Sequence, residues 1–206
     1  MALKRFPLTN SESYSVKYRH GEKVYATLEL NQVAFPKTGM VVSQTPLGEE
    51  FTVDAPCENG MWVVADKAAG AINAPAAATD KPIGIVYTAE KEYDDYHYGL
   101  QYFGRKIAGD YPRVGILGIG DTVTTNCLQY NTTDFADDDA LFEALAAIDT
   151  TPLYVIPGVA ADGTTTSKAV PAITKSKPNS GIYAKIVKFY TVPNGEKGVK
   201  YQIISL

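Results

Sequence analysis

The sequence predicts a mainly β protein: small barrel- or sandwich-like domains, one short α-helix and a C-terminal β-hairpin. Three observations carry that reading. Short apolar runs recur along the chain, each bounded by Gly, Pro, Asn or Asp, the residues that supply turn geometry. Several segments alternate apolar and polar residues with the period of two of a half-buried strand. One segment alone, near Asp137, has helical spacing.

The first strands are expected in a hairpin. Tyr14, Val16 and Tyr18 alternate with polar residues, Val24, Ala26, Leu28 and Leu30 repeat the pattern, and Gly21 supplies the turn. Apolar runs follow at Met40–Val42, Phe51–Val53, Met61–Ala65, Ile83–Tyr87, Val114–Ile119, Val123–Tyr130 and Leu153–Ile156. Each reads as a strand. Gly70–Lys81 is rich in alanine and interrupted by Pro75, which would break a helix. It reads as an exposed loop or arm.

The helix is expected from Asp137 to Ile148. Leu141, Leu145 and Ile148 form one stripe, which Phe142 widens. Asp137, Asp138 and Asp139 stand at its start, where one can cap free N–H groups and the others favour the positive end of the helix dipole. The last hairpin pairs Ile182–Val192 with Val199–Leu206. Asn194-Gly195 lies in the reversal, a pair that readily takes positive φ.

The length of 206 residues suits one large domain or two small ones. Loop-rich stretches at Thr132–Ala136 and Pro157–Ser180 suggest a β-rich acidic region, 1–131, and a helix plus basic hairpin, 132–206, able to pack as one unit. Charge divides in the same sense. Residues 1–149 hold 12 basic and 21 acidic side chains, and residues 150–206 hold seven and two. The split reads either as a difference between two solvated surfaces or as a protomer with complementary ends, which would favour head-to-tail packing in a homo-oligomer. The acidic majority argues against nucleic acid as the partner. Cys57 and Cys127 have neither disulfide-framework nor zinc spacing and are expected as free thiols of a protein made in a reducing cytoplasm. No apolar run approaches the roughly 20 residues of a membrane span, so no membrane role is expected. The N-terminus does not read as a secretory signal.

The search for chemistry yields no catalytic, cofactor or metal residue. Only His20 and His97 could serve histidine chemistry, and no Ser or Cys stands in a nucleophile elbow. Gly158 to Thr165 lacks the lysine of a phosphate-binding loop, and Gly115 to Gly120 lacks dinucleotide spacing. Asp134 and Asp137–Asp139 lack the order of a calcium loop, and a helix start explains them better. Tyrosine is the anomaly. There are 14 against seven Phe and one Trp. Tyr93, Tyr96, His97, Tyr98, Tyr102 and Phe103 crowd one stretch that also holds Asp94 and Asp95. Burying those acids unpaired would be costly, so the stretch is expected on a surface loop, as an interface. Stacking on sugars is a further possibility for it.

Gly60-Met61-Trp62-Val63-Val64-Ala65-Asp66, Lys81-Pro82-Ile83-Gly84-Ile85-Val86-Tyr87, and Val114-Gly115-Ile116-Leu117 followed by Asp121-Thr122-Val123-Thr124-Thr125 resemble tailed-phage virion proteins. The nearest likeness is to lambda-type head-decoration proteins, and it covers about a third of the chain. The resemblance implies a non-enzymatic protein made in the host cytoplasm and located in the virion. It implies the major capsid protein or other virion proteins as partners, often with trimer formation, and no cofactor. This chain is longer than such a domain and lacks an obvious Ala/Pro/Thr-rich N-terminal arm. A tail tube or other tail component, or a receptor- or carbohydrate-binding module, are the competing expectations.

Overall fold

A computed structural model describes residues 3–7, 33–34, 39–87, 107–161, 168–191 and 197–206, with the backbone alone at 33, 34 and 67. The protein is mainly β, as the sequence predicts. The strands are β1 (Leu3–Arg5), β2 (Val33–Ala34), β3 (Val41–Val42), β4 (Trp62–Val64), β5 (Ile83–Val86), β6 (Val114–Ile116), β7 (Thr122–Thr125) and β8 (Gln129–Asn131). Helix α1 (Asp138–Ala146) follows, then β9 (Tyr154–Ile156), β10 (Ala172–Thr174), β11 (Tyr183–Thr191) and β12 (Lys197–Ser205). The hairpin expected at Tyr14–Leu30 lies outside the described residues.

Two sheets result. The larger has the order β1-β8-β10-β9-β11-β12-β7-β2, and the smaller β3-β6-β5-β4. All pairings are antiparallel except β8 with β10. The larger sheet draws strands from both sides of residue 131.

One short connection shapes the larger sheet. The sequence reads Val123–Tyr130 as a single strand, but the chain turns at Asn126–Leu128, where the Leu128 N–H donates to the Asn126 carbonyl. Strands β7 and β8 on either side of that turn are separated by four others in the sheet. A flat sheet would hold them about 24 Å apart, at about 4.8 Å per strand. The backbone from Thr125 to Gln129 reaches about 14 Å at most. The sheet must therefore curl. It bends into an open trough, and neither sheet closes into a barrel.

The concave side of the trough is the main core. Ile173, Val155, Ala184 and Ile203 pair in a row across four strands, all fully buried. The smaller sheet enters from one side, and Trp62, Ile83 and Ile85 join that core. The Trp62 indole N–H donates to the Tyr201 hydroxyl at 2.8 Å, and the rings meet edge to face at 5.8 Å, both fully buried. Helix α1 packs Leu141 and Leu145 into the same core. Phe142 sits between Phe6, edge on, and Phe189, stacked at 5.8 Å.

A second core lies around the smaller sheet and includes Phe51, Met61, Val63, Ile72 and Cys127. Two expectations are corrected here. Phe51–Val53 is no strand, because Phe51 is held in a turn by its N–H to the Gly48 carbonyl. Gly70–Lys81 is not an exposed arm throughout. Ile72, Ala74 and Pro75 are buried, and Asn73 exchanges two backbone hydrogen bonds with Val64. Ile72 is apolar enough to find a core even when small residues surround it.

Strand β1 is held by side chains as well as by its pairing with β8. Phe6 is fully buried. Arg5 pairs with Glu58 at 2.7 Å, and the same guanidinium reaches the Cys127 sulfur at 3.8 Å. Burial pushes the Cys127 thiol up to about 12. Lys4 donates to Asp138 at 2.9 Å, and the Tyr130 hydroxyl donates to the other oxygen of that carboxylate at 2.6 Å. Burial pushes the Asp138 carboxyl up, but the hydrogen bonds from Tyr130 and Lys4 outweigh it and hold the group below its ordinary value. Burial first, and then Asp138, push the Tyr130 hydroxyl up to about 12.

Two outcomes are expected. Gly60 has φ of 92°, and an added Cβ would lie 2.5 Å from the Cys127 Cβ, whereas Gly70, at φ of 72°, has open space. Both substitutions to alanine cost about 1–2 kcal/mol for the left-handed backbone. Gly60→Ala adds overpacking of about 1–3 kcal/mol. Denaturant melts should therefore rank Gly60→Ala clearly below Gly70→Ala, and equal losses would contradict the close approach. The second outcome concerns acid. A depressed carboxyl contributes stability that is full above its ordinary value of 3.8 and is lost as pH falls through the lower folded value. Asp138→Asn should lower the melting temperature at neutral pH, with the gap to the parent shrinking as pH falls below that value. A gap independent of pH would show that the carboxylate charge is not what binds β1.

Candidate functional site: the convex face of the curled sheet

The concave side of the trough is filled, so its convex side is what the larger sheet presents outward. Thr174, Tyr154, Lys185, Gln202 and Thr122 pair in a row across five strands. Each is exposed or partly exposed, against full burial in the inner row one residue away. A second row runs through Lys188, Lys200 and Thr124. Lys188 is exposed, Lys200 is partly buried, and the row closes over at Thr124, which is fully buried.

Two bulges build this face. In a regular strand Lys185 and Lys188 would point to opposite sides. Lys185 pairs with Gln202 and Ile186 with Tyr201, but Lys188 pairs with Lys200, so Val187 is an extra residue. The bulge resets the alternation and brings Lys188 to the Lys185 side. The second bulge, in β12, leaves Ile204 unpaired between Ile203 and Ser205. Val187 and Ile204 are 44% and 38% exposed. Lys188 also lies over the Tyr190 ring at 5.7 Å. The face thus combines three lysines, tyrosine rings and two exposed aliphatic groups, and β7 and β9–β12 contribute no acidic residue to it.

Opposite charge stands on the helix. Asp137 caps α1, accepting from the Ala140 N–H at 2.8 Å. Asp138 holds Lys4 and Tyr130. Asp134 accepts from the Thr174 hydroxyl at 2.8 Å. The acidic cluster therefore works as a helix start and a set of ties. Asp139 and Glu143 are the exposed remainder, and no basic residue follows in the last turn.

The expected interface residues Tyr93, Tyr96, His97, Tyr98, Tyr102 and Phe103 lie outside the described residues. So do His20 and the second half of the Gly158–Thr165 loop, whose first half is a 3-10 turn. Both cysteines are free and buried. Among the described residues no three His, Cys, Asp or Glu side chains converge as a metal cluster. No helix among them is long and apolar enough to cross a membrane.

The two sides of β12 should respond differently to substitution. Lys185→Ala, Lys188→Ala and Lys200→Ala should each change stability by less than about 0.5 kcal/mol, as surface substitutions do. Tyr201→Phe leaves the buried Trp62 N–H without its partner and should cost about 1–3 kcal/mol. Chemical denaturation measures both, and a lysine variant as damaging as Tyr201→Phe would place that lysine in the fold rather than on a free face.

Comparison of the chain with protein families, with curated proteins and with solved structures finds no match.

Proposed function

We propose that this chain is a non-enzymatic structural protein of a tailed-phage particle, which decorates or stabilises the capsid surface through protein–protein contacts. The observation that most supports this is the convex sheet face. Lysines, tyrosines and exposed aliphatic groups sit together on a continuous sheet, and β7 and β9–β12 contribute no acidic residue to it. Rigid strands present them at fixed spacing, and the composition suits a contact surface, where tyrosine combines large area with a polar tip. The side of the sheet beneath is wholly given to core, so the surface can engage a partner without disturbing the fold. The sequence likeness at Gly60–Asp66, Lys81–Tyr87 and Val114–Thr125 supplies the setting. Those segments contain β4, β5, β6 and β7, which join the smaller sheet to the trough.

Quantitative mass spectrometry of purified particles of the encoding phage tests this reading. A copy number in fixed ratio to the major capsid protein is the expected result. A copy number that follows tail length would move the protein to the tail tube. Its absence from the particle would overturn the reading.

A further inference from the structure

We infer that the convex face receives the exposed acidic side of α1 from a second copy of this chain, in a head-to-tail contact. The inference deepens the virion reading and rests on it for its setting.

The two surfaces cannot meet within one molecule. Phe189 turns to the inner side of β11, where it stacks on Phe142 of α1. Its neighbours Lys188 and Tyr190 therefore point to the other side. The helix and the lysine face lie on opposite sides of the same sheet.

Each surface also carries an unrelieved repulsion. Lys188 and Lys200 are direct cross-strand partners. Like charges so placed destabilise a sheet, at about 4.5–5.5 Å between Cβ atoms. Asp139 and Glu143 stand four residues apart on α1, both exposed. Like charges at that spacing destabilise a helix, at about 5–6 Å between Cβ atoms. Among the described residues the ion pairs are Lys4–Asp138 and Arg5–Glu58, so none of these four charges is paired within that part of the chain. The pairs are opposite in sign and matched in spacing. Docked together, each removes the other's repulsion. Val187 and Ile204 beside the lysines, and Ala146 on the helix, can supply apolar contact at the same junction.

Such a contact joins two different patches. A heterologous contact repeats from copy to copy, closing into a ring or running on as an open chain. It is also made of exposed charge, which salt screens beyond about 10 Å at about 0.1 M.

Charge exchange in the full chain tests it, read by sedimentation velocity across protein concentration and salt. The parent should form larger species at low salt and dissociate at high salt. K188E/K200E alone, and D139K/E143K alone, should each stay monomeric while melting close to the parent temperature. An equimolar mixture of the two variants should associate again, because each altered surface then meets its complement. If K200E disturbs folding, K185E/K188E serves in its place. A parent that stays monomeric at low salt, single-surface variants that associate like the parent, or a mixture that stays monomeric would each overturn the contact. So would binding of a DNA duplex by the parent, lost in K188E/K200E without any self-association, since it would assign the face to nucleic acid. The abundance of the chain in particles is measured separately. A monomeric protein still abundant in particles would end the head-to-tail proposal and leave the virion reading standing.

Discussion

The short turn at Asn126–Leu128 is the constraint on which the architecture depends. It obliges two strands that are remote in the sheet to lie near each other in space. Once the sheet curls, it has an inside and an outside, and every residue of β9–β12 is assigned to one or the other. Inside, burial of apolar rows and of the Trp62–Tyr201 pair provides the stabilisation. Outside, the row from Tyr154 through Lys185 to Thr122 stays at or near the surface, so the sequence there is free to carry charge. The turn itself is divided between the two cores: Leu128 packs into the first and Cys127 into the second. That is why the backbone of Gly60 must approach so closely there.

The helix illustrates how a single element serves two ends. Its apolar stripe is spent on the core, and Asp137 and Asp138 are spent on capping and on holding β1. What is left over, Asp139 and Glu143, is exposed and takes no part in capping or in holding β1. The acidic run thus looks uniform in sequence but is functionally partitioned by geometry.

Much of the fold is legible in the sequence where local signals and tertiary packing agree. Leu141, Leu145 and the aspartate run mark the helix because the same residues cap it and bury it. Residues 182–206 mark a hairpin because alternation on both arms matches an inside and an outside. Legibility fails where the deciding factor is remote. Val123–Tyr130 has strand-forming residues throughout, and only the placement of β7 and β8 in the sheet requires a turn within it. Ile72 and Ala74 look like part of a loose alanine-rich arm until Val64 and Pro46 supply partners for the backbone. The candidate site is half legible. The basic excess after residue 150 is visible in composition, but the Val187 bulge that brings Lys185 and Lys188 to one face is set by pairing with β12 rather than by local sequence. The tyrosine-rich stretch that the sequence favours lies outside the described residues.

The position of β12 between β11 and β7 has a consequence for biosynthesis. Strand β7 is made some seventy residues before the strand that covers its edge, since Thr122–Thr125 pairs with Val199–Gln202. Until Lys197–Ser205 leaves the ribosome, β7 and β11 each present an edge without that partner, and unpaired edges invite pairing with other chains. Topologies dominated by distant pairings also fold slowly. A nascent chain of this kind is exposed to misassociation on crowded polysomes for as long as its middle strand is missing. High-level synthesis multiplies the number of chains in that state at any moment, so the late arrival of β12 bears directly on how much of the protein folds before its edges meet other chains.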